Sequence, residues 1–304
     1  MKLRVMMGLL AAALVAGCAH RPEVIAPVAS LRTTQVKGAG GLVLAVHETG
    51  NPTGRPIILI HGVNQSHLSW KRQLSGDLTK KYRLIAVDLR GHGLSARPQA
   101  TALYRGDRAW ADDLNAVIGQ LKLDRPVLVG WSYGGRVAMM YLRHYGDARL
   151  GAVVFVDTVA SAKAAVRTKE SDNAVLRMVK PAGYADYIAG VRRFVRLMYD
   201  RELPVAEHEE MVGYNMAVPQ EVFSGIRGPF DYTSELQKLK APALVIHGAK
   251  DRHSALPNGQ YIRDNTPGSR LVVFEQSGHM PFFEEPASFD RTLDAFVSGL
   301  RQAR

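Results

Sequence analysis

The sequence contains almost no cysteine: Cys18 is the only one among 304 residues. A single cysteine excludes an internal disulfide and a zinc site built from several thiolates. Long runs of one charge are also absent, because the 39 lysines and arginines are scattered along the chain. A formal net charge of +11 that is spread in this way is typical of a basic, soluble surface. We therefore expect no nucleic-acid partner.

The remaining composition is that of a globular protein. Hydrophobic residues make up 46% of the chain, charged residues 22% and aromatic residues 8%. This balance excludes disordered, collagen-like and low-complexity proteins. The length allows one large domain or two small ones, with ample material for a hydrophobic core.

The first residues have the layout of a secretory signal peptide. Lys2 and Arg4 are followed by an apolar stretch over residues 5–16, which is too short to span a bilayer as a helix. Two small residues then precede Cys18. This ending resembles the lipobox of bacterial lipoproteins, in which the cysteine is lipidated and becomes the first residue of the mature chain.

The lipoprotein resemblance implies an exported protein of the bacterial cell envelope, held at a membrane by lipid on Cys18. Ala19 follows, where an aspartate would favour retention at the inner membrane, so the outer membrane is expected. The alternative is an ordinary secretory signal with a chance cysteine. We assign residues 1–17 to the signal peptide and residues 18–32, which contain two prolines, to a tether.

The rest of the chain alternates apolar strand patterns with helical patterns. Apolar runs predict strands at 42–47, 57–60, 83–87, 126–130, 152–156, 243–247 and 271–274. Apolar spacing predicts helices at 70–81, 107–121, 133–145 and 289–300. Alternation of this kind favours an α/β protein with a mostly parallel, doubly wound sheet and helices on both faces.

One stretch interrupts the alternation. Residues 160–230 are charged and poor in strand signals, with helical patterns at 191–198 and 207–216. We interpret this stretch as a helical cap inserted into an α/β core of residues 33–159 and 231–304. The cap would determine which substrate binds. Its aromatic and methionine side chains could line a pocket, but they could equally pack the cap against the core.

A glycine-flanked serine follows one of the predicted strands. The segment Gly130–Gly135 has the pattern Gly-Trp-Ser-Tyr-Gly-Gly and opens a predicted helix. A strand–turn–helix of this type needs small neighbours, because the turn is sharp and its serine is strained. The serine hydroxyl is then exposed at the end of a strand and at a helix N-terminus. Ser132 is therefore the candidate nucleophile.

A serine needs a base, and the base needs an acid to orient it. His279 is the candidate base, because it follows the last predicted strand in a loop next to a glycine. Asp251 is the candidate acid, because it follows the strand before that one. Asp157, at the end of an earlier strand, is the rival acid. Asp88 suits the role less well, because it precedes the serine.

The segment His61-Gly62-Val63 follows an early strand, where a loop can direct a backbone N–H towards a developing oxyanion. The candidate oxyanion donors are the N–H groups of Val63 and Tyr133. We interpret His61 as a residue that braces this loop. The polar turn at 88–95 is expected to brace the loop beside the serine.

From about residue 33 to 302 these segments together resemble an α/β-hydrolase, and the order Ser132, Asp251, His279 is the order of that family. Residues 107–158 are particularly similar to the branch of cofactor-free haloperoxidases and arylesterases. The resemblance implies a serine hydrolase that cleaves a small acyl ester through an acyl-enzyme, with no metal and no other cofactor. Val63 departs from the aromatic residue that many members of the branch carry after His-Gly, and this departure disfavours haloperoxidase activity.

Two alternatives to ester hydrolysis stay open. Perhydrolysis or carbon–carbon bond hydrolysis could use the same three side chains. A surface lipoprotein could also keep the fold without turnover. We expect a small-molecule acyl substrate, membrane attachment only through Cys18, and no obligate protein partner.

Overall fold

The computed structural model describes residues 31–300, which form an eight-stranded sheet with helices on both faces. The strands are β1 (Arg32–Lys37), β2 (Val43–Gly50), β3 (Pro56–Ile60), β4 (Arg83–Val87), β5 (Val127–Trp131), β6 (Ala152–Val156), β7 (Ala243–Gly248) and β8 (Arg270–Phe274). Every strand expected from the sequence is present. The expected fold class, an α/β protein with a mostly parallel doubly wound sheet, is confirmed.

The strands lie side by side in the order β1-β2-β4-β3-β5-β6-β7-β8. The pairs β1–β2 and β2–β4 are antiparallel, and every other neighbouring pair is parallel. The loops that follow β3 to β8 therefore gather at one edge of the sheet, where ligands bind in folds of this type. The sequence did not indicate β1, because this edge strand buries only Val36.

Eleven α-helices lie within residues 31–300. They are α1 (Lys71–Leu74), α2 (Arg108–Gln120), α3 (Tyr133–Tyr145), α4 (Lys169–Val179), α5 (Tyr184–Arg196), α6 (Val205–Met216), α7 (Gln220–Gly225), α8 (Thr233–Lys238), α9 (Pro257–Asn265), α10 (Pro281–Glu284) and α11 (Pro286–Ser298). The continuous helix expected over 70–81 is wrong. Here α1 ends before Gly76, where a β-carbon would lie 2.8 Å from the carbonyl oxygen of Arg72.

The hydrophobic core lies on both faces of the sheet. Along β3, Ile58 and Ile60 pack into the layer that contains α2 and α3, whereas Ile57 and Leu59 pack into the opposite layer with α11. Side chains alternate between the two faces of a strand, so a strand covered on both faces must be apolar throughout. This burial explains the short uninterrupted apolar runs in the sequence.

Four helices, α4 to α7, lie between β6 and α8 in the chain, within the stretch that the sequence suggests is a cap. Helix α4 packs against α5, and α5 packs against α6. Cys18 and the predicted signal peptide lie outside the described residues. Within residues 31–300, no helix is both long and apolar enough to cross a membrane.

Candidate active site

Ser132 lies in the sharp turn between β5 and α3. Its backbone has φ 52° and ψ −116°, a conformation that costs a non-glycine residue about 1–3 kcal/mol. The turn is possible because Gly134 has no side chain: a β-carbon there would lie 2.2 Å from the carbonyl oxygen of Ile60. A β-carbon at Gly130 would lie 2.6 Å from the carbonyl oxygen of Gly134. The fold therefore holds Ser132 in a strained, fixed position.

Asp251 and His279 meet across the loops that follow β7 and β8. The Nδ1 atom of His279 lies 2.6 Å from Oδ2 of Asp251. The other carboxylate oxygen, Oδ1, accepts hydrogen bonds from the backbone N–H groups of His253 and Ser254, at 2.7 and 2.9 Å. Burial raises the pKa of Asp251, but His279, His247 and the backbone N–H of Ser254 outweigh burial and lower the pKa below its usual value. Asp251 is therefore a carboxylate.

The loop that contains His279 is anchored on three sides. The indole Nε1 of Trp131 donates a hydrogen bond to the carbonyl oxygen of His279, at 2.7 Å. Glu284 accepts a hydrogen bond from the backbone N–H of Gly278, also at 2.7 Å. The backbone N–H of Lys250 donates a hydrogen bond to the carbonyl oxygen of Ser277, and this bond joins the loop to the one after β7. His279 and Ser132 both line one cavity of about 630 Å³.

Asp157, the rival acid, is in a different environment. It is fully buried at the end of β6, where Oδ1 accepts a hydrogen bond from the backbone N–H of Gly248, at 2.8 Å. Its other oxygen, Oδ2, has no hydrogen-bond partner among the described residues. Burial and the negative charge of Asp251 raise the pKa of Asp157 well above its usual value. Asp157 therefore holds its proton more tightly than an ordinary aspartic acid, whereas Asp251 releases its proton more readily, and no hydrogen bond joins Asp157 to His279.

Val63 and Tyr133, the candidate oxyanion donors, line the same cavity as Ser132. Neither N–H has a hydrogen-bond acceptor within residues 31–300. The N–H of Ser132, in contrast, donates to the carbonyl oxygen of Val156, at 2.8 Å. Two unpaired donors beside a strained serine are suited to bind an oxyanion.

Two neutral histidines hold the loop that contains Val63. His61 donates from Nδ1 to the carbonyl oxygen of Gly62, at 2.7 Å, and burial lowers its pKa to about 4. His92 accepts at Nε2 from the backbone N–H of Asn64, at 3.1 Å, and burial lowers its pKa to about 3. These bonds lie on either side of Val63. His61 therefore has the bracing position expected from the sequence, and the turn at 88–95 contributes His92.

Within the described residues, two groups of three histidine and aspartate side chains have the nitrogen and oxygen atoms that could bind a metal ion. In the first group, Asp88 is bonded to His47 and His67, and it also accepts hydrogen bonds from the backbone N–H groups of His67 and Leu94. The second group comprises Asp157, Asp251 and His247, whose Nε2 donates to the carbonyl oxygen of Ser254. Most of these candidate metal-binding atoms already form hydrogen bonds that brace the loops.

Sequence reasoning missed His253, which also lines the cavity. Its Nε2 donates to the carbonyl oxygen of Phe194 in α5, and its Nδ1 accepts from the hydroxyl of Ser171 in α4, both at 2.8 Å. Burial lowers the pKa of His253 to about 3, so it is a neutral residue that joins two helices to the core. Its partners are 59 and 82 positions away in the chain, so no local pattern could reveal the role.

Sequence reasoning also missed Arg136, one helical turn after Ser132 on α3. Its side chain lines the cavity, with the guanidinium carbon 3.6 Å from the ring centre of Phe230 and 5.0 Å from that of Tyr133. Arg136 lies four residues after Ser132, near the start of α3, and both residues line the cavity. That spacing was a usable signal in the sequence.

Residues 57–292 match the alpha/beta hydrolase family, and the chain belongs to it. This assignment agrees with the eight-stranded sheet and with the serine in the turn after β5. The chain is thus a hydrolase by family.

Three similar proteins show the range of chemistry among its relatives. The structure of a candidate aryl esterase from Burkholderia cenocepacia has a TM-score of 0.82, is 35% identical, and matches over 88% of this chain and 98% of its own. A 2-hydroxymuconate semialdehyde hydrolase from Pseudomonas sp. is 29% identical over 86% of this chain and 92% of its own length. The non-heme chloroperoxidase CPO-A1 of Kitasatospora aureofaciens is 28% identical over 74% of this chain and 85% of its own length.

Proposed function

We propose that this protein is a serine esterase that hydrolyses a carboxylic ester through Ser132, His279 and Asp251. One observation carries the proposal: His279, which is paired with Asp251, lines the same cavity as the strained Ser132 and as Val63 and Tyr133, whose backbone N–H groups have no acceptor among the described residues. A nucleophile, an oriented base and oxyanion donors are the parts that acyl transfer requires.

In the proposed reaction, Ser132 Oγ forms a bond to the ester carbonyl carbon while His279 Nε2 takes the hydroxyl proton. Asp251 keeps the proton on Nδ1 of His279 and stabilises the imidazolium that results. The N–H groups of Val63 and Tyr133 bind the negative oxygen of the tetrahedral intermediate. The carbon–oxygen bond to the alcohol then breaks, and the alcohol leaves with the proton from His279.

Water completes the cycle. It attacks the acyl-enzyme while His279 takes one of its protons, and Ser132 leaves with that proton when the acid product forms. This reaction uses only side chains, backbone donors and water. The family membership and the similarity to a candidate aryl esterase support an ester as the substrate.

The test is a series of p-nitrophenyl esters from acetate to palmitate, applied to the protein that begins after Cys18. We expect hydrolysis of at least the shorter esters, with a rate that falls on the order of 10⁴-fold or more in Ser132→Ala. Ser254→Ala is the matched control, because Ser254 also lines the cavity but its hydroxyl has no partner among the described residues. Equal hydrolysis by wild type and Ser132→Ala would contradict the proposal.

Hydrolysis of a carbon–carbon bond is the second candidate, because the 2-hydroxymuconate semialdehyde hydrolase is 29% identical over most of this chain. Perhydrolysis is less favoured, although CPO-A1 is similar, because Val63 stands where an aromatic residue is common in that branch. Acetate and peroxide followed by a halogenation assay would detect perhydrolysis. 2-Hydroxymuconate semialdehyde as substrate would test for carbon–carbon cleavage.

We also propose that the mature protein is anchored to the bacterial outer membrane by lipid on Cys18. Support comes from the sequence before this residue, which has a positive start, an apolar stretch and two small residues. The catalytic proposal does not depend on this anchor, because the residues that line the cavity begin at Val63.

A further inference from the structure

The cavity beside Ser132 has an excess of positive charge. Three of the side chains that line it are arginines, and only Asp172 is acidic. Asp172 is already paired, since its Oδ1 lies 2.8 Å from Nε of Arg167. The charges of Arg136 and Arg227 are therefore not balanced by any carboxylate in the cavity wall.

Of these two arginines without a balancing carboxylate, Arg136 is the better placed to bind a ligand. Arg227 is exposed, whereas Arg136 is half-buried between the rings of Phe230 and Tyr133. The Nε atom of Arg136 is shielded from solvent and has no hydrogen-bond partner among the described residues. A shielded N–H without an acceptor is unfavourable, so the free energy of binding improves when a ligand supplies one.

No acidic side chain in the described part of the chain forms an ion pair with Arg136. Asp107 contributes to the electrostatic environment of Tyr133 next to it, but its carboxylate is taken by Arg143, at 2.6 Å, and by the hydroxyl of Tyr232, at 2.8 Å. The aromatic rings fix the guanidinium without neutralising it. An arginine held in this way is suited to a planar carboxylate, which can accept two parallel hydrogen bonds.

The position of Arg136 relative to the proposed reaction indicates which part of the substrate it meets. Ser132 stands at the N-terminal cap of α3 and Arg136 lies four residues further along the chain, and both residues line the cavity. The leaving alcohol must contact His279, because His279 returns the proton to it. The acyl chain is then the part of the substrate that extends into the rest of the cavity, which Arg136 also lines.

We propose that Arg136 binds a carboxylate at the far end of the acyl chain, so that the preferred substrates are half-esters of dicarboxylic acids. This inference rests on the proposed esterase function and adds the substrate class. Phe194, Phe223 and Leu176 in the same cavity would contact the methylene groups between the ester and the carboxylate.

Two ethyl esters of equal acyl length test the proposal: monoethyl glutarate, which carries the terminal carboxylate, and ethyl pentanoate, which does not. Proton release at constant pH gives kcat/KM for each. We expect wild type to prefer monoethyl glutarate and Arg136→Gln to lower the preference ratio about 10- to 100-fold, the usual worth of a hydrogen bond to a charged group. Arg136→Lys should keep part of the ratio, because it keeps the charge without the planar fork.

Arg149→Gln is the matched control, because Arg149 is an exposed arginine outside the cavity. We expect its preference ratio to equal that of wild type. Monoethyl succinate and monoethyl adipate then show which acyl length spans the distance between Ser132 and Arg136. A wild-type ratio at or below one, or a ratio that Arg136→Gln leaves unchanged, would overturn the inference.

Binding to Ser132→Ala separates this inference from the proposed function, because binding needs no turnover. Isothermal titration calorimetry should show tighter binding of monoethyl glutarate than of ethyl pentanoate, and Arg136→Gln in the same background should remove the difference. If the binding preference is present but wild type hydrolyses neither ester, the esterase proposal fails and the carboxylate site stands. Equal affinities would overturn the carboxylate site even if ester hydrolysis is observed.

Discussion

The neighbouring carboxyl groups of Asp157 and Asp251 should respond in opposite ways to the same replacement. In Asp251→Asn, the amide can still accept from the two backbone N–H groups through its oxygen. Its NH₂ group then faces Nδ1 of His279, which is 2.6 Å from Oδ2 in the wild type. Two donors cannot share a hydrogen bond, so the imidazole must take the wrong tautomer or turn away. We expect kcat for ester hydrolysis to fall on the order of 10⁴-fold.

Asp157→Asn should keep activity and increase stability. Burial and the charge of Asp251 raise the pKa of Asp157, so the folded protein keeps a proton that the unfolded chain releases above the ordinary value of 3.8. Stability of the wild type therefore falls as pH rises from that value, by about 1.4 kcal/mol per pH unit, until the pH passes the raised pKa. Asparagine has no proton to release, so it removes this dependence.

The magnitude can be measured as a difference in Tm between Asp157→Asn and wild type. For a domain of this size, about 1 kcal/mol corresponds to roughly 2–4 °C, so the difference should grow by about 3–6 °C per pH unit. Thermal unfolding followed by circular dichroism between pH 4.5 and 8 gives the profile. A Tm difference that does not change with pH, or a loss of activity as large as that of Asp251→Asn, would refute the assignment of the raised pKa to Asp157.

Three further predictions concern other features of the chain. His92→Ala leaves the buried N–H of Asn64 without an acceptor. Steady-state kinetics should then show a fall in kcat of up to about 10²–10³-fold with little change in KM. An unchanged kcat would contradict a role of His92 in holding Val63. Gly134→Ala forces a β-carbon to within 2.2 Å of a carbonyl oxygen and should lower both Tm and activity. Gly119→Ala lies in open space on α2 and should raise the free energy of unfolding by about 0.5–1 kcal/mol in denaturant unfolding. Equal effects of the two substitutions would contradict the strained turn. Cys18→Ser should abolish metabolic labelling with alkyne palmitate and leave ester hydrolysis intact, and label that persists in the variant would contradict the anchor.

The sheet could be predicted from the sequence because burial on both faces leaves a plain signal. A strand such as β3, covered on each side, consists of apolar residues throughout, and such runs alternate with helical spacing. The edge strand β1 carried no such signal, because most of its side chains are exposed. The break after α1 coincides with an extended backbone at Gly76, which apolar spacing does not register.

The candidate site could be predicted only as far as chain order allows. Residues that follow parallel strands meet at one edge of the sheet, so the positions of Ser132, Asp251 and His279 after three predicted strands are enough to group them. The raised pKa of Asp157 depends on its burial and on the nearby charge of Asp251, neither of which can be read from the sequence. The role of His253 likewise depends on helices far away in the chain.

Covalent labelling is the sharpest test of the proposal that Ser132 is the nucleophile. Wild type, Ser132→Ala and Ser254→Ala would be treated with a fluorophosphonate probe, and the labelled peptide would be identified by mass spectrometry. We expect one adduct, on Ser132, in wild type and Ser254→Ala, and none in Ser132→Ala. An adduct on another serine that persists in Ser132→Ala, together with ester hydrolysis by that variant, would contradict the proposal.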